Sequence, residues 1–200
     1  DLDKVQFFSN SIETATWGLD LGYEQQWSVG VNDELRLRLV GSINRTRLSG
    51  IKLPASLQGL EHVVFNRQDQ ARLEYAHPQS KAIAQLSWFH QQLSVNLQST
   101  RFGRVTYRHP ADGQSDNWIY NGYTGTVETR DQTFSPKWIT DLALQWQVRK
   151  HLRYGLQIRN VFDVYPDEHR HSANTNDGTF RYRRYVLQVG VWGQQLLVSC

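Results

Sequence analysis

Along most of this 200-residue chain, apolar and polar side chains alternate with a period of two, as in a β-strand whose successive side chains face opposite ways. The clearest case is 152–159. Leu152, Tyr154, Leu156 and Ile158 share one face, and Arg153, Gly155, Gln157 and Arg159 the other. Just upstream, Trp138, Leu142, Leu144, Trp146 and Val148 oppose Asp141, Gln145, Gln147 and Arg149, and only a short turn separates the two segments. They read as an antiparallel hairpin. The same alternation recurs at Trp17–Tyr23, Leu35–Asn44, Lys81–His90, Leu93–Thr100 and Arg184–Val191, with a shorter version around Val5 and Phe7. That predicts eight strands, the last carrying Tyr185, Leu187, Val189 and Val191 on its apolar face.

The connections also alternate. They are short after Tyr23, His90 and Val148, and long after Asn44, Thr100 and Asn160. Gly50, Pro54, Gly59 and Pro78 punctuate the first long connection, within which Arg67–Tyr75 has the helix formers for two turns. Outer-membrane barrels join their strands by short turns on one side and long loops on the other, so this asymmetry gives the chain a direction. Alternation alone does not say which face meets lipid, but the aromatics do. Trp17, Trp138 and Tyr185 start strands that run toward the short-turn end, while Tyr23, Trp88, Trp146 and Trp192 lie near the ends of such strands. Two levels of rings match the girdles at the two bilayer interfaces. Arg36, Arg38, Asp20, Glu24, Asp141, Arg153 and Arg159 then face a wet interior. The predicted lipid-facing set includes Leu142, Leu144, Leu156, Ile158, Leu187 and Val189.

Composition agrees. At 39% hydrophobic residues and a mean hydropathy of -0.59, the chain is too polar for a helical membrane protein, and no run of apolar residues approaches the length of a spanning helix. Aromatics make up 12%, seven of them Trp, residues favoured where one edge is apolar and the other wet. The net charge of +3 is mild and its cations are interleaved with acids, which argues against a nucleic-acid partner. The single Cys200 forms no internal disulfide.

The hairpin at 138–159, the Asn-hydrophobic-Phe-Asp-x-x-Tyr-x-Asp-like stretch Asn160–Asp167 (NVFDVYPD) that follows it, and a late alternating strand ending in Trp192 resemble the C-terminal end of TonB-dependent outer-membrane receptors. VQFFSNSIETATWGLD near the start, HPQSKAIAQLSWFHQQLSVNLQSTRFGRVT in the middle and DQTFSPKWITDLALQW later look like successive barrel strands of that family. The resemblance implies an all-β fold: an antiparallel up-and-down transmembrane barrel fragment, its strands forming an open curved sheet within a larger barrel. Residues 1–192 would supply those strands, and 193–200 an atypical C-terminal extension. It further implies a place in the bacterial outer membrane among its lipids and uptake of an iron complex, a siderophore or haem, by the whole receptor. TonB would act through an N-terminal plug that lies outside this chain. A self-contained eight-stranded barrel, acting as a binding or structural module, is the alternative.

No catalytic constellation stands out, and no cofactor is called for. The loop 101–135 offers Arg101, Arg104, Tyr107, Arg108, Trp118, Tyr120 and Tyr123, cations and flat rings suited to an anionic, aromatic iron chelate. His169 and His171, next to Asp167 and Glu168, are weak metal-ligand candidates, with a solvated loop the commoner explanation of such a cluster.

Overall fold

The computed structural model describes residues 11–110, 118–121, 125–170, 181–183, 186 and 188–200. The expected strand around Val5 and Phe7 lies outside them, as do Tyr123, His171, Tyr185 and Leu187. The protein is all-β and antiparallel. Its main sheet orders β1 (Ile12–Ser28), β2 (Asp33–Ile51), β3 (Ser80–His90), β4 (Leu93–Phe102), β9 (Lys137–Arg149), β10 (Leu152–Arg159) and β11 (Gln195–Ser199). The order is that of an up-and-down meander. β1 and β11 stand at opposite edges, and the sheet of described residues is open.

All three short turns lie at one end: 29–32, Gln91–Gln92 and Lys150–His151. In the turn between β3 and β4, Gln91 takes a φ of 49°, the left-handed region that two-residue hairpins favour. The three long connections gather at the other end. The first holds α1 (Glu61–Val64) and α2 (Arg67–Glu74), so the helix formers at 67–75 do make a helix. Asn66 caps it, its side chain accepting from the Gln68 and Asp69 N–H groups at 2.8 and 3.1 Å. The second connection contributes two small ribbons, β5 (Val105–Tyr107) with β8 (Gln132–Phe134), and β6 (Trp118–Asn121) with β7 (Thr126–Thr129).

Three expectations are corrected. β1 and β2 run to 17 and 19 residues, so the strands expected over Trp17–Tyr23 and Leu35–Asn44 extend at both ends, and β1 reaches Ser28. β-pairing to a long partner carries the ladder through sequence that lacks clean alternation. The strand expected over Arg184–Val191 is not formed at its described positions. Val186 and Val189 are instead buried at the loop end, where Gln188 donates to the Gly103 carbonyl, and the edge of β10 is taken by β11. Val189 is therefore no lipid-facing residue, and Trp192 is an exposed connection residue rather than a strand-end ring. Tyr23, opposite Leu39, sits in mid-sheet, and Trp27 takes its place as the turn-end ring of β1.

The NVFDVYPD stretch turns out to be a clasp. Asn160 and Asp163 both adopt φ of 52°, a region Asn and Asp tolerate better than other side chains. Asn160 donates its backbone N–H to Asp141 Oδ1 (2.8 Å), and its side-chain amide bonds both the carbonyl and the N–H of Val164 at 2.9 Å. Asp163 Oδ1 accepts from the Gln194 N–H at 2.7 Å, holding the tail that leads into β11. Asp167 accepts from the Ser135 N–H and hydroxyl and from Lys137 Nζ at 2.5–2.6 Å, tying the same turn to the start of β9. Gly193 passes so close that a Cβ there would run into Tyr165 Oη and Asp163 Oδ1.

Candidate functional site

In an antiparallel ladder, residues directly opposite share a face, so the register spells out each face row by row. One row reads Gln25, Leu37, Leu86, Leu97, Leu142, Ile158 and Leu196, across all seven strands. The next row toward the turns reads Trp27, Leu35, Trp88, Val95, Leu144, Leu156 and Val198. No described residue covers them. Leu21, Leu97 and Trp146 are 65%, 44% and 53% exposed, respectively. A soluble sheet of this width buries such a face against a second layer. This one leaves a contiguous apolar surface far larger than a monomer ordinarily exposes.

Rings mark two levels on that face. On β9 they are Trp138 and Trp146, on β1 Trp17 and Trp27. The eight-residue step from Trp138 to Trp146 spans about 27 Å along the strand, and about 20 Å across a membrane at a 40° tilt. Their rings reach further, toward the edges of a ~25 Å apolar band. Moving from β9 to β1, both levels shift away from the turns, the direction a tilted strand imposes. The polar groups between the levels satisfy each other: Ser99 and Thr140, opposite in register, share a hydroxyl hydrogen bond of 3.1 Å.

The other face is polar. Glu24, Arg38, Gln85, Gln98 and Asp141 form one of its rows, and Gln26, Arg36, Ser87 and Asn96 the next. Arg36 donates to Glu34 at 2.9 Å and lies over the Phe89 ring at 5.6 Å. These are charges that hydrocarbon would penalise and a wet interior accepts.

At the loop end the chain builds a small core of its own from Ala76, Val105, Tyr107, Phe134 and Val186. His169 meets Tyr107 edge-on at 5.1 Å, and the Arg183 guanidinium lies 4.1 Å above the Tyr107 ring. Burial raises the Tyr107 phenol pKa, against the pull of Arg183 and of the hydrogen bond from Gln68. Beside this core Arg67 forks onto Asp131, with Nη1 2.7 Å from Oδ1 and Nη2 on Oδ2, and also reaches the His109 carbonyl at 3.2 Å. The His109 N–H returns a bond to Asp131 Oδ1 at 2.8 Å. Burial pushes the Asp131 carboxyl up, but the Arg67 bonds, the His109 N–H and the surrounding cations outweigh it, and its pKa falls below the usual value. His109 is held below the ordinary histidine value by burial and by Arg130.

The expected binding residues are dispersed by this arrangement. Arg104 is exposed, and Arg108 is half-buried with its guanidinium 5.0 Å over Tyr75. Tyr107 is 2% exposed, a core ring rather than a surface one. Arg101 belongs to β4, opposite Trp138 and Ala82, at the rim of the apolar face and not in a loop. Trp118 and Tyr120 lie on the β6–β7 ribbon. His169 is packed into the loop core, and among the described residues no three His, Cys, Asp or Glu side chains are grouped to hold a metal ion. Sequence reading missed Arg67 and Asp131, 64 residues apart, because no local spacing links them.

No protein-family model matches the chain, and no curated protein matches it in sequence. Among solved structures it is similar to the ferripyoverdine receptor of the outer membrane of Pseudomonas aeruginosa, determined with ferripyoverdine bound, at 16% identity and a TM-score of 0.43. That similarity covers 78% of this chain and 16% of the receptor, so the chain spans about a sixth of the receptor's length. At such a TM-score the likeness carries no weight for function.

Proposed function

We propose that these strands form part of the wall of a bacterial outer-membrane barrel of the TonB-dependent receptor type, and that the whole receptor takes up an iron chelate. The observation that carries this reading is the uncovered apolar face, continuous over seven strands, bounded by two levels of rings and backed by a charged face. The gathering of all long connections at one end supports it further. β1 and β11 lie at opposite edges, which favours a wall segment over a closed eight-stranded barrel. Each edge then finds its hydrogen-bond partners in further strands, since unpaired backbone groups in hydrocarbon cost several kcal/mol apiece.

On this reading the loop end faces outward and Arg104 and Arg108 meet an anionic ferric chelate. TonB would work through a plug contributed by other parts of the receptor. Single cysteines at Leu144, Leu156, Gln145 and Gln157, in the full-length protein in liposomes, test the membrane reading. Nitroxide or bimane probes at the two leucines report lipid and those at the two glutamines report water. The reverse pattern overturns the assignment.

A further inference from the structure

The turn joining β9 to β10 is the most basic feature of the short-turn end. Arg149, Lys150 and His151 follow one another there, all exposed. None of them makes an ion pair with a described residue. The acids of the same end are already engaged: Asp33 accepts from Trp88 Nε1 at 3.0 Å and meets His90 Nδ1 at 2.8 Å, and Glu34 holds Arg36. The other two turns, Val29–Asn32 and Gln91–Gln92, carry no charge. Just inside the basic turn, on the apolar face, Trp146 and Tyr154 stand opposite each other in register, 53% and 45% exposed.

A pair of amphipathic rings at the edge of an apolar face fixes the depth at which the turn sits, and that depth is the level of the headgroups. Cations held there without acidic partners favour a phosphate that carries net negative charge. We propose that the β9–β10 turn, with Trp146 and Tyr154, is a docking surface for anionic phospholipid headgroups of the leaflet at the short-turn end. The inference rests on the membrane reading above. Arg149 and Lys150 attract the phosphate, while the two rings pack against the upper acyl chain and glycerol. Of the three connections at this end, only this one would select lipids by charge.

The test uses full-length protein in vesicles containing acyl-brominated phosphatidylglycerol or acyl-brominated phosphatidylcholine at equal mole fraction. The fluorescence due to Trp146 is obtained by difference from Trp146→Phe. Phosphatidylglycerol is expected to quench that fluorescence more strongly. In Arg149→Gln/Lys150→Gln the preference drops by about five-fold per cation removed, whereas Lys150→Arg retains it. Equal quenching by both lipids in the unaltered protein, or a preference that survives the double substitution, overturns the headgroup site and leaves the membrane reading standing. Absence of quenching by either lipid overturns the membrane reading itself.

Discussion

The sheet and the loop end use the same side chains in opposite ways. In the sheet, rings and leucines line a face that the other described residues leave bare, and its few well-buried positions, such as Ser87, Thr100 and Thr140, are polar. At the loop end, Val105, Tyr107 and Phe134 are almost wholly buried although the described part of that region has only short ribbons and short helices. A soluble β-protein inverts this, with its core between sheets and its loops exposed. On the proposed membrane reading, the sheet is built for a solvent that is itself apolar, and the loop end must hold its shape in water by its own packing and ion pairs.

The sharpest way to break that comparison is to place a charge on each face of the sheet. Leu142→Arg, between the two ring levels, is expected to lower stability in liposomes by about 2–4 kcal/mol. Gln98→Arg, on the polar face, should change it by less than about 0.5 kcal/mol. Denaturant unfolding in lipid measures both, and equal costs would mean that the faces are not distinguished by solvent.

Asn160→Ala comes next. It removes the amide bonds to Val164 and places alanine in the left-handed region, an expected loss of about 2 kcal/mol. Because the clasp also reaches the tail through Asp163, protease sensitivity should rise around 193–199 as well as around 160–167.

At the loop end, Arg67→Met leaves Asp131 half-buried without its fork, and about 1–3 kcal/mol of local stability should go with it. Hydrogen exchange at 105–109 and 131–134 is expected to quicken while the sheet amides stay protected.

The smallest expected effect is that of pH, and it too should separate the two regions. His109 and Asp131 have folded-state pKa values below their unfolded ones, so each contributes stability that is complete above the unfolded value and is lost as pH falls through the folded one. The loop end should therefore loosen in two stages, the first beginning below about pH 6.5 and the second below about pH 4. Arg67→Met should remove the second stage. Hydrogen exchange followed against pH reads both, and an unchanged second stage would rule out Asp131 as its source.

Much of the sheet was determined by the sequence itself. Alternation set which side chains share a face, because a pleated strand allows only two directions, and the spacing of turn residues set which ends carry long connections. The helix within 67–75 and the long connection after Asn160 were legible for a local reason: helix formers and turn residues act within a few positions. Only the tertiary structure decided which segment closes the edge of β10. The sequence pattern favours 184–191, but any short extended segment can add to a free ladder edge, and Gln195–Ser199 does so while Val186 goes to the loop core. It also decided the Arg67–Asp131 pair, the burial of Tyr107 and the position of Arg101 on the apolar rim. Each depends on which distant strands come side by side, and alternation within one strand contains no information about its neighbours' register.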